Sequence, residues 1–189
     1  MKYAIIIPDG AADYPIEQLE NKTIFEAADI PNIDEISTSG KQGLVKTVPD
    51  QMPPGSDVAQ MSLLGYDPLR FYTGRAPIEA TAQNIKLNSD DWVFRCNFVT
   101  IADEKMADHS AGHISTKEAK KLIKELNENF SNPQLQFFPG VSYRHLLVIR
   151  NADFELQTFP PHDHIDSPIQ KILPRGKGAK ALIDLMARS

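Results

Sequence analysis

The sequence predicts an α/β fold in three parts: a partial parallel sheet over residues 1–82, a compact α+β module over 83–174, and a helix over 175–189 that returns to the first part. Three observations predict it. Over the first eighty residues, apolar strand-like runs alternate with helix signals, the order that a parallel sheet requires. From about Gln83, strand-like runs crowd around one long amphipathic helix, which suits an α+β module better than further doubly wound units. After the turn Pro174-Arg175-Gly176 the pattern is helical again, from about Gly178 to Ala187.

The elements follow in order. Tyr3 to Ile7 is short, rich in branched residues and closed by Pro8-Asp9-Gly10, so it reads as a buried strand delivering Asp9 to a sheet edge. Open α/β sheets place their chemistry at such edges. Thr23-Ile24-Phe25-Glu26 has the spacing of a capping box, in which hydroxyl and carboxylate satisfy the first turn reciprocally. Pro31 and Gly40 bracket a second helix, followed by a strand from Leu44 to Val48. Gly55 supplies backbone freedom, Ser56 takes the N-cap, and Val58, Met61, Ser62 and Leu64 fit a short helix ended by Gly65. In the module the strand-like runs are Trp92 to Ile101, Gln134 to Phe138, His145 to Arg150 and Phe154 to Phe159. Ser115-Thr116-Lys117-Glu118 is a second capping box, and behind it Ala119, Leu122, Ile123, Leu126 and Phe130 share one helix face.

Composition narrows the function. The chain has 189 residues, a formal net charge of −5 and one cysteine. No basic stripe favours nucleic acid. No signal peptide or transmembrane run appears, so the expected compartment is the cytoplasm and no membrane partner is expected. Cys96 lies in a strand-like run and reads as a small buried apolar residue.

Ser56 admits two readings. It is either an ordinary N-cap or a nucleophile that carries a phosphoryl group, because helix N-termini favour phosphate through free N–H groups and the macrodipole. A serine hydroxyl is a poor nucleophile at neutral pH and no Ser-His-Asp arrangement lies nearby, so the second reading calls for a metal. Asp9 is the natural first ligand. Elsewhere, Asp108-His109 with His113, and His162-Asp163-His164, have the residue types of metal ligands. Arg95 and Arg144 suit a carboxylate or a phosphate, or are solvated charges.

Several segments together resemble the cofactor-independent phosphoglycerate mutases of the archaeal type, a branch of the alkaline phosphatase superfamily. They are Ile7 to Asp13, Pro31 to Asp34, Pro54 to Pro68, Tyr72 to Ala80, Arg95-Cys96-Asn97, Ser110 to Ser115, Ser142 to His145 and Pro160 to Asp163, in the family's order and over nearly the whole chain. The resemblance implies an alkaline-phosphatase-like sheet domain with an inserted lid, and interconversion of 3-phosphoglycerate and 2-phosphoglycerate through a phosphoserine on Ser56. It implies two divalent cations, manganese or magnesium, with Asp9 and Ser56 among their ligands, and no 2,3-bisphosphoglycerate. It places Arg95, Asn97, Asp108, His109, Arg144 and His145 at the substrate, together with Arg75, which steadies the loop around Ser56 or else forms a surface ion pair. It argues against metal binding by the two histidine clusters, and it puts His113 where many members carry arginine.

By the same resemblance family members are about twice as long, and most metal ligands lie in a later Asp-His segment. The chain therefore reads as an N-terminal half whose partner is the C-terminal half. Apolar surface left exposed on such a half favours self-association. A lid is physically required of a mutase, since a phosphoserine open to water would be hydrolysed. The alternatives are a metal-dependent phosphatase or phosphonate-processing hydrolase of the same superfamily, and a non-catalytic phosphoglycerate-binding module. A decarboxylase ranks below both, since no thiamine-binding or Schiff-base motif is present.

Overall fold

A computed structural model describes residues 2–189 and divides the chain into two compact units, Met1–Tyr72 and Thr73–Ser189. The division falls ten residues before the expected boundary at 82. Among the described residues no helix is long and apolar enough to cross a membrane.

The first unit is helical. A 3-10 turn at Glu17–Leu19 leads to α1 (Ile24–Ala27), α2 (Pro31–Ser39), α3 (Ser56–Leu63) and α4 (Pro68–Phe71). The capping box on α1 forms as its spacing predicts, and Pro31 opens α2 with Gly40 as its C-cap. At the end of α3, Gly65 has φ +85°, its N–H donates to Ser62 O, and Tyr66 N–H donates to Met61 O. That pair of bonds is a Schellman motif, which needs the left-handed residue that glycine supplies. The expected strands at 3–7 and 44–48 differ from the structure: neither belongs to a sheet. Ile6 and Leu44 are 81% and 105% exposed. A strand is defined by its hydrogen-bonded neighbours, and among the described residues this unit contains no strand for them to pair with. Only the helical half of the expected sheet layer is therefore formed.

The second unit is α+β, as predicted for the module. It runs α5 (Arg75–Ala82), β1 (Trp92–Asn97), β2 (Thr100–Ala102), β3 (Lys105–Asp108), α6 (Thr116–Phe130), β4 (Leu135–Phe138), β5 (Arg144–Ile149), β6 (Glu155–Gln157), β7 (Arg175–Lys177) and α7 (Ala179–Arg188). Its main sheet is antiparallel with order β1-β5-β4, so β5 is central and reads as a nearly continuous buried run, with His145 to Val148 all buried. One face carries Phe137 and Leu147 against Ile123 of α6 and Leu182 of α7, with Leu126, Phe130 and Leu185 packed around them. The other face carries Leu146, Val93 and Phe138 against Ala76 and Ala80 of α5, whose small side chains let the helix approach closely.

Three features depart from the expectations. The run Trp92 to Ile101 is two strands: β1 ends at Asn97 and β2 turns back through Asp103-Glu104 to pair with β3. Both turn residues have positive φ, +48° and +58°, as a two-residue hairpin demands. The segment Arg175–Lys177, expected as a turn, is strand β7 paired with β6. Finally α7, expected to return to the first part, places Leu182 and Leu185 in the core of the second unit.

Candidate active site

In the first unit, folding brings together two residues that are 47 apart in sequence. Ser56 Oγ donates a hydrogen bond of 2.9 Å to Asp9 Oδ2. The serine is the first residue of α3, and Gly55, with extended backbone, holds the N-cap. Ser56 thus departs by one position from the expected cap, and no side chain caps this helix. Its hydroxyl is committed to a carboxylate instead, which an ordinary capping serine would not be. Asp9 is held on a tight loop in which its N–H donates to Ile7 O at 2.9 Å and Gly10 has φ +76°. The neighbouring Asp57 accepts from the Tyr72 hydroxyl. A carboxylate and a hydroxyl are hard oxygen donors of the kind that magnesium and manganese take. Two donors are short of the six such ions use, and among the described residues no group of three or more His, Cys, Asp or Glu stands ready for a metal.

The remaining predicted residues lie in the second unit, and the sheet register sorts them. Arg95 and Asn97 of β1 face the same side as Arg144, which pairs with Asn97 across the strands. Arg95 Nε lies 3.2 Å from Glu79 Oε1 of α5, and the enclosed Asn97 Oδ1 has no hydrogen-bond partner among the described residues. A buried acceptor left in this state is costly unless a water or another polar group meets it. Arg75 is the first residue of α5, at the start of the same unit.

His145 is on the opposite face, 2% exposed and edge-on to Phe98. Its Nδ1 accepts from Gly140 N–H at 3.0 Å, which puts the proton of the neutral ring on Nε2. Burial lowers its pKa to about 4, with a smaller opposing effect from the Ser142 backbone. The ring shapes the loop leading into β5 through Gly140, and its buried Nε2 has no hydrogen-bond partner among the described residues.

Asp108 is committed to its own loop. Its carboxylate accepts from Ser110 Oγ at 2.7 Å, Ser110 N–H at 2.8 Å and Gly112 N–H at 2.6 Å, while Ala111, Gly112 and His113 all take positive φ. These bonds, the Ser110 hydroxyl first, hold its pKa down at about 2. The consequence is a fixed turn that presents His109. Ser110, 1% exposed, also accepts from His113 N–H and is the member of this loop that sequence reasoning left out. A serine two residues after an aspartate is the Asx-turn signal that would have found it.

Residues 37–189 match the family described as 2,3-bisphosphoglycerate-independent phosphoglycerate mutase. The chain belongs to this family. It is 51% identical over 190 positions to the mutase of that name from Methanosarcina barkeri, covering all of this chain and 48% of the relative. A relative from Geobacter sulfurreducens, named a probable mutase of the same kind, is 45% identical over 193 positions. Among solved structures, the cofactor-independent phosphoglycerate mutase of Thermoplasma acidophilum is similar with a TM-score of 0.51 at 27% identity, over 95% of this chain and 49% of that one. A protein of Pyrococcus horikoshii gives 0.60 at 28% identity over 75% of this chain and 35% of its own. The chain thus spans about half the length of the curated family members it matches.

Proposed function

We propose that this chain carries the nucleophile and the substrate-holding lid of a phosphoglycerate mutase that interconverts 3-phosphoglycerate and 2-phosphoglycerate. The observation that supports the reading most directly is the hydrogen bond from Ser56 Oγ to Asp9. Ser56 Oγ attacks phosphorus, the bond from phosphorus to the substrate's C3 oxygen breaks, and glycerate leaves with a proton on that oxygen. The serine proton leaves along the bond already aimed at Asp9 Oδ2 and ends on the departing C3 oxygen. The 2-hydroxyl of glycerate then attacks phosphoserine, the bond from phosphorus to Ser56 Oγ breaks, and the hydroxyl proton returns by way of Asp9 to Ser56 Oγ, which restores the serine.

Asp9 and Ser56 are the residues of this chain that would hold two divalent cations, manganese or magnesium. Such ions stabilise an alkoxide at neutral pH and offset phosphate charge. Donors that complete their coordination belong, on this reading, to the C-terminal half of the enzyme. Arg95, Asn97 and Arg144 on one sheet face, with His109 and Arg75, hold the substrate's anionic groups. Asp108 and His145 act as positioning residues through their loops, a narrower role than substrate contact. The cytoplasm is the compartment this reading assigns.

The test is intact mass after incubation with manganese and 3-phosphoglycerate, with and without the separately expressed C-terminal half of the Methanosarcina barkeri relative. The expected result is one added phosphoryl group on Ser56 when both halves are present, absent in Ser56→Ala. Release of inorganic phosphate without 2-phosphoglycerate would establish the hydrolase alternative instead. Metal-independent phosphoglycerate binding that survives Ser56→Ala, with no phosphoenzyme, would establish the binding module.

A further inference from the structure

Two arginines share the α5 side of the main sheet, and their surroundings differ. Val93, Arg95 and Asn97 alternate onto that face of β1, and Arg144 of β5 pairs with Asn97. Arg144 donates to the Tyr143 hydroxyl at 2.9 Å and, among the described residues, meets no carboxylate. Arg95 does meet one: its Nε lies 3.2 Å from Glu79 Oε1. That nitrogen is enclosed and its N–H is not aligned for a hydrogen bond, so the contact is an ion pair held by charge.

Glu79 owes its place to helix packing. Ala76 and Ala80 of α5 are buried against Leu146, Val93 and Phe138, which draws the helix close to the sheet and sets the residue before Ala80 beside Arg95. Arg75 stands one turn earlier on the same side of α5. The Glu79 side chain is 39% exposed and that of Arg95 23%, so water and salt screen the pair only in part.

We propose that Glu79 sets the affinity of Arg95: its carboxylate cancels part of the guanidinium charge and weakens the hold on an incoming carboxylate. This rests on the mutase reading above for the role of Arg95 at glycerate. The two transfers use different oxygens of glycerate, so the molecule shifts while it stays bound. A carboxylate gripped by the full charge of Arg95 would resist that shift, since binding that favours one bound state over the transition states slows turnover. At the effective dielectric of a protein surface, one opposing charge a few ångströms from a bound anion changes its affinity by roughly tenfold or more.

The test follows the Arg95 Nε–H resonance by NMR in the full 189-residue chain, titrated with acetate as a plain carboxylate and with 3-phosphoglycerate. Glu79→Gln keeps the shape and removes the charge, and it should tighten acetate binding at Arg95 roughly tenfold. Glu79→Asp keeps the charge and should stay within about threefold of the parent. Glu125→Gln, on α6 across the sheet, should change nothing. A merely structural role for Glu79 would weaken binding in Glu79→Gln, so acetate that binds this variant no more tightly than the parent overturns the proposal. A tenfold gain for acetate, with 3-phosphoglycerate binding the parent no better than acetate does, upholds the role of Glu79 while counting against the mutase reading.

Discussion

In the second unit β5 lies between β1 and β4 with helices over both faces, and Leu146 and Val148 are wholly enclosed. In the first unit, Val58 and Pro68 are the buried residues among those described, while Tyr3, Ile5, Ile6, Leu44 and Val45 stand in solvent. Apolar residues are present in both. What differs is whether a sheet exists to bury them against, since apolar stripes stabilise only when a second layer removes them from water. The proposed nucleophile therefore sits on the thinly packed part of the chain, and the proposed substrate-holding lid is the well-packed part.

The contrast can be broken most sharply by native-state hydrogen exchange. Amides of β5 should exchange roughly a thousandfold or more slowly than those of 3–7 and 44–48, and comparable rates would mean that the first unit has a core of its own. Next in size, Leu146→Ala should cost about 3 kcal/mol and lower protection through β1, β4 and β5, because the cavity opens between α5 and the sheet. Protection within α3 should change little.

His145 sharpens the comparison through pH. Its folded pKa is about 4 against an ordinary 6.5, so between those values the unfolded chain binds the extra proton and stability falls as the solution is acidified. The full loss is on the order of 3 kcal/mol, and replacing the ring in His145→Gln should flatten the dependence of Tm on pH over that window.

A smaller effect is expected at Gly178, which has φ +91°, and where an added Cβ would lie 2.2 Å from the Phe154 ring. Gly178→Ala should lower stability by about 2 kcal/mol through strain and the displaced ring. Smallest of all, Ser56→Ala should move Tm hardly at all, within about 0.5 kcal/mol, since Ser56 caps nothing and is exposed. It should nevertheless abolish the phosphoenzyme.

Much of this was legible in local signals. The capping boxes at Thr23 and Ser115, the glycine stop at Gly65 and the apolar stripe of α6 are decided within a few residues, so sequence alone determined them. Asp9 and Ser56 were singled out from their motifs, and so were His109 and Arg144. Only the tertiary structure decided what needs a distant partner. Arg175-Gly176-Lys177 has no strand propensity and becomes β7 because Glu155–Gln157 lies beside it. The runs at 3–7 and 44–48 have strand propensity and stay outside any sheet. Whether a histidine meets ligand or core was likewise a matter of register: a single strand places Arg144 on one face and His145 on the other, because successive side chains alternate. His162 joins His109 only through backbone bonds between its segment and β3, an encounter across more than fifty residues that no local pattern records.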